Sequence, residues 1–120
     1  MPTEKLKNDI LFIIEHINEI ESYFEEINNP NDFVNSKQGK AFYDAILMHL
    51  QVAGEILKRA YKENENLFQA YTEIPWNEII RLRDLISHNY DKLEYEIVFD
   101  ICKTNIKPLH IVLLKIAERL

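Results

Sequence analysis

The stretch KLKNDILFIIEHINEIESYFEEI, residues 5–27, decides the fold class. Leu6, Ile10, Ile13, Ile17, Ile20, Phe24 and Ile27 follow one another at alternating steps of four and three. That spacing returns side chains to one face of a helix and cannot alternate across a strand. Thr3 is a candidate N-cap, with Glu4 near the positive end of the helix. The turn-forming residues of NNPND, residues 28–32, predict the stop.

Working outward, the same period recurs. Tyr43, Ile46, Leu50, Ala53, Leu57 and Ala60 predict a second helix from about Lys37 to about Tyr61. Gly54 lies inside it, at a cost of about 1 kcal/mol relative to alanine. A glycine there predicts that a neighbouring helix crosses closely. Pro75, in TEIPW, suits the start of a third helix carrying Trp76, Ile79, Ile80, Leu82, Leu85 and Ile86. A last helix is expected from about Glu94 to the C-terminus, with Val98, Ile101, Leu109, Val112, Leu113, Ile116 and Leu120 inward. Pro108 removes a hydrogen bond and predicts a kink inside it.

Bulk properties agree. The chain has 120 residues, enough for one domain with one core. With only two glycines and four prolines it cannot build the many tight turns of a sandwich or barrel. The expectation is a single all-α domain over residues 1–120, an up-and-down bundle of four main helices, with a fifth if Pro108 breaks the last. The formal net charge of −6 opposes any reading in which the whole surface grips nucleic acid, so an RNA contact must come from a local site. The single cysteine, Cys102, excludes an internal disulfide and a multi-cysteine zinc site and is expected in the core. The N-terminus lacks the pattern of a signal peptide, and no apolar run spans a bilayer, so a cytoplasmic chain without membrane contact is expected.

The chemistry-bearing residues gather in RLRDLISHNY, residues 81–90. On helical geometry Tyr90 returns to nearly the face of Arg83, Asp84 and His88 share a face, and His88 is turned roughly 140° from Arg83. Two copies related by a two-fold axis bring an arginine and a histidine together without strain. Arginine offers a charged fork of donors to a phosphate, and histidine exchanges protons near neutrality. Asp84 can orient the imidazole, and Tyr90 can donate to a phosphate oxygen or accept a transferred group. RNA brings its own 2′-hydroxyl nucleophile, so such a set suffices for phosphodiester cleavage. Each residue also has a structural explanation: Arg83 paired with Glu78 or another carboxylate, His88 ending the helix, Tyr90 lidding the bundle. His16, His49 and His110 form no metal-ligand spacing, and no glycine-rich phosphate loop exists, so neither metal nor cofactor is expected.

The run Arg83, His88, Tyr90, in the pattern R-x-x-x-x-H-x-Y, resembles the signature of the HEPN superfamily and, within it, the HepT group. IPWNEIIRLRDLISHNYD is similar to that group's tryptophan, arginine, apolar pair, histidine and tyrosine in order. AILMHLQVAGEILKRA resembles its second long helix, with the Gly54-Glu55 pair, and the likeness covers about residues 5–118. The resemblance implies a metal-independent endoribonuclease toxin of a type VII-like toxin–antitoxin system, a homodimer with its active site in the subunit cleft. It implies that Arg83 and His88 are catalytic. It further implies that Tyr90 receives AMP from a cognate minimal nucleotidyltransferase, the antitoxin, which silences the toxin. The chain departs at Asp84, where the family often carries asparagine; the added charge weakens RNA binding or sharpens the basicity of the histidine. Two other readings stay open: a non-catalytic helical partner that docks a nucleotidyltransferase and presents nucleotide or substrate, and a structural dimerisation bundle.

Overall fold

The computed structural model describes residues 2–120, so the first residue of the domain expected over 1–120 lies outside the described residues. Six α-helices follow in order: α1 (Pro2–Phe24), α2 (Lys37–Glu63), α3 (Glu65–Gln69), α4 (Trp76–His88), α5 (Tyr95–Thr104) and α6 (Ile106–Arg119). Short 3-10 turns at Pro30–Phe33 and Tyr90–Lys92 complete them, and no strand occurs among the described residues. The all-α bundle is therefore as expected. Its four main rods are α1, α2, α4 and the broken α5–α6 pair.

The apolar stripe of α1 is the spine of the core. Leu6, Ile10, Ile13, Ile17, Ile20 and Ile27 are all buried, and Ile14 joins them. Against them pack Ile46, Leu50, Ala53 and Leu57 of α2 and Leu109, Val112, Leu113 and Ile116 of α6. Full burial of one such aliphatic side chain contributes about 1.5–3 kcal/mol. Charged pairs at the rim, Lys5 with Glu63 and Arg59 with Asp9, show that α1 and α2 run antiparallel. Surface pairs of this kind add little stability themselves.

Two expectations about helix ends change. Helix α1 is already running at Thr3, so the threonine sits in its first turn and the cap position falls outside the described residues. At the other end of the α1–α2 connection, Ser36 caps α2 by accepting from the Gly39 amide at 2.9 Å. Gly39 itself is required there, because an added Cβ would lie 1.8 Å from the Asp32 carbonyl oxygen. The second difference is the break in the last rod. It falls at Asn105, between α5 and α6, and Pro108 occupies the first turn of α6. An amide in the first turn has no partner within its helix, so a proline there loses nothing and no interior kink results.

Cys102 is buried, and burial pushes its thiol up to about 12, as befits an inert core residue. No helix among the described residues is long and apolar enough to cross a membrane.

Candidate functional site

Helix α4 carries the site, and α2 holds it in place. Trp76 is buried at the start of α4, where its indole N–H donates to the Tyr71 carbonyl at 3.2 Å and its ring packs edge-on against Phe68. Leu82 and Ile86 bury the inner face of the helix. With the near end anchored, the antiparallel course along α2 brings Gly54 to Arg83. A Cβ added at Gly54 would lie 2.6 Å from Arg83 Cβ and 2.9 Å from its Cγ. The missing side chain thus lets the arginine stem lie on the α2 backbone, the close crossing that a glycine inside a helix predicts.

The guanidinium then emerges among carboxylates. It forms an ion pair with Glu55, the residue after that glycine, and its Nη1 donates to Asp84 at 3.0 Å. Glu78 is not its partner. Lys58, one turn along α2, reaches Asp84 at 3.2 Å. Hydrogen bonds from Arg83 and then Lys58 hold the exposed Asp84 carboxyl below the usual carboxylate range. Asp84 is therefore committed to two cations, and His88 is not among its partners. The expected Asp84–imidazole contact, although allowed by spacing, is not formed. Arg83 Nε and Ser87 Oγ, four residues apart, are buried without a hydrogen-bond partner among the described residues. Such atoms are uncommon in folded proteins, and a catalytic role is one recurring reason for them.

His88 is the last residue of α4 and is exposed. It makes no hydrogen bond to any described side chain or carbonyl. The helix ends there, so Tyr90 does not return to the Arg83 face by helical continuation. Asn89, at φ −139° and ψ 40°, leaves the helical conformation, and Tyr90 opens the following 3-10 turn. Tyr90 is 55% exposed, and its hydroxyl donates to Asp44 of α2 at 3.0 Å. That hydrogen bond, with burial second, raises the Tyr90 pKa. Arg83 and Tyr90 thus both reach α2, at Gly54 and at Asp44, while His88 stands at the end of α4.

Those partners escaped sequence reasoning. Asp44, Met48, Gln51, Glu55 and Lys58 are spaced four, three, four and three along α2, and all are exposed. This second stripe, polar apart from Met48 whereas the first is apolar, is the signal that marks them. Met48 on α2, Leu85 on α4 and Tyr90 in the turn after it leave apolar surface uncovered.

The other histidines are accounted for elsewhere. His16 and His49 face each other across α1 and α2 with 2.8 Å between their Nδ1 atoms, and His110 meets Glu21 at 2.9 Å. Among the described residues no group of three or more His, Cys, Asp or Glu is placed to hold a metal ion.

Comparison with known proteins bears on this arrangement. Residues 13–116 match the family described as Ribonuclease HepT-like. Three similar proteins come from Methanocaldococcus jannaschii. "Putative RNase MJ0127" is 29% identical over 101 residues, covering 84% of this chain and 78% of the relative. "Gamma-glutamylcyclotransferase and putative RNase MJ0434" is 28% identical over 119 residues, 96% of this chain but 50% of that longer protein. "Putative RNase MJ1380" is 24% identical over 109 residues, 91% of this chain and 94% of the relative. No solved structure matches the chain.

Proposed function

From the premise that this chain belongs to the Ribonuclease HepT-like family, we propose that it is a metal-independent endoribonuclease toxin, active as a homodimer. A cognate nucleotidyltransferase silences it by AMP transfer to Tyr90. The observation that carries this reading is the contrast at the end of α4. Arg83 is clamped at the Gly54 crossing, and five residues later His88 stands exposed and unengaged. A fixed cation and an available imidazole, brought together across a two-fold axis by a second copy, are what RNA cleavage asks of a protein.

In the proposed reaction the substrate's 2′-oxygen attacks the adjacent phosphorus and the bond to the 5′-oxygen breaks. His88 handles the proton, and Arg83 neutralises charge on the phosphate. Glu55, whose side chain is 60% exposed, gives up Arg83 as the phosphate arrives. The net charge of −6 favours a cleft that gathers arginines from two copies. The uncovered Met48 and Leu85 beside the site are surface that a second copy covers. AMP on Tyr90 adds bulk and negative charge there and repels RNA.

The test is cleavage of RNA in excess chelator by protein whose intact mass shows no adduct. The parent cleaves, and Arg83→Ala and His88→Ala lose about 10²-fold or more. The second reading, a non-catalytic module that docks a nucleotidyltransferase, draws on Arg83 being already neutralised by Glu55 and Asp84. It predicts no cleavage by unmodified protein and no toxicity when the chain is expressed without its partner.

A further inference from the structure

Tyr90 and Asp44 meet across 46 residues of sequence. Their contact therefore depends on the register of α2 against α4, which the Gly54 crossing sets. Little in the fold needs it. Both residues are exposed, and neither belongs to the core. Among the described residues Asp44 makes no other hydrogen bond and no ion pair, so its carboxylate is neutralised by nothing but this one hydroxyl. That differs from Asp84, which two cations already occupy. The phenol next to it, Tyr43, is no competitor, because it makes no hydrogen bond to Asp44 and packs its ring against Phe33.

We propose that Asp44 is the base that takes the proton from Tyr90 when a nucleotidyl group is transferred to it. The step rests on the modification reading above. Tyr90 Oη attacks the α-phosphorus of ATP, and an O–P bond forms. The bond between the α-phosphorus and the oxygen bridging to the β-phosphate breaks, and pyrophosphate leaves with its electron pair. The phenolic proton passes to Asp44 Oδ1, already 3.0 Å from the hydroxyl. The transferase supplies ATP and its activation, and this chain supplies both the nucleophile and its base. A hydroxyl that donates to α2 turns its lone pairs away from α2, toward solvent on its exposed side. In the resting protein the same carboxylate opposes phenolate, so the proton departs within the transfer step itself.

The experiment incubates the full chain with a minimal nucleotidyltransferase and ATP radiolabelled at the α-phosphate, and compares the parent with Tyr90→Phe, Asp44→Asn and Asp44→Glu. The parent is labelled and Tyr90→Phe is not. Asp44→Asn is labelled about 100-fold more slowly in kcat, with KM for ATP unchanged. Asp44→Glu recovers part of the rate, because the base returns. Asparagine keeps an acceptor oxygen in the same place, so a role limited to holding the hydroxyl would leave Asp44→Asn close to the parent. That result overturns the proposal while the modification reading stands. A parent that takes no label overturns the modification reading, and the role of Asp44 with it. Melting curves of the variants, altered only at an exposed position, verify that they are folded.

Discussion

Helix α2 has two working faces, and they are built on opposite rules. Toward α1 it presents Ile46, Leu50, Ala53 and Leu57, all buried against the isoleucine stripe. Toward α4 it presents a bare Gly54 flanked by Asp44, Glu55 and Lys58, each paired across the gap with a charged or hydroxyl side chain. The histidines divide the same way. His49 is half-buried and locked to His16, whereas His88 is exposed and unengaged. One face holds the bundle together, and the other sets exposed charged and polar groups against α4 and the turn that follows it.

The comparison breaks if the two faces do not respond separately. On the first, Ile17→Ala is expected to cost about 2–5 kcal/mol, because Ile17 is only 1% exposed. Denaturant melts check the loss, and cleavage per folded molecule should stay at the parental rate. On the second, Gly54→Val inserts atoms where even a Cβ lies 2.6 Å from Arg83. Overpacking costs about 1–3 kcal/mol. Displacement of Arg83 lowers cleavage about 10²-fold, beyond what the stability loss explains.

A pH series sharpens the contrast. Burial, and then the charge of His16, lower the His49 pKa below the ordinary 6.5. Between those two values the unfolded chain binds more protons than the folded one, so stability there rises with pH. The His49 contribution is complete above about pH 6.5 and is lost as the pH falls through the folded-state value. Melting temperatures from pH 5 to pH 8 should show this fall, and His49→Gln should flatten it. The smallest effect belongs to Lys58→Ala. It removes a pair between half-exposed groups and should change stability by about 0–1 kcal/mol. Salt titration of the parent and variant melts checks it.

What the sequence discloses follows the same division. The α1 stripe is legible because a core face repeats with the helical period, and Gly54 is legible because a glycine inside a helix has few other uses. The motif Arg83, His88, Tyr90 is legible as a pattern of residue types. Its partners are not, since Asp44 and Glu55 reach it through the register of α2 on α4. His16 and His49, 33 residues apart, likewise meet only through the pairing of α1 with α2. Pro108 marked the right rod and the wrong residue, because a proline is as well suited to a first turn as to a kink. Tyr90 was placed by extending a helix that ends two residues earlier, at His88.

The most direct test measures cleavage rate and melting temperature together for His88→Gln and His49→Gln. The account predicts that His88→Gln loses about 10²-fold or more in cleavage and melts like the parent. It predicts that His49→Gln cleaves like the parent and loses the acid sensitivity of its stability. Parental cleavage by folded His88→Gln would contradict the assignment of chemistry to the α4 face.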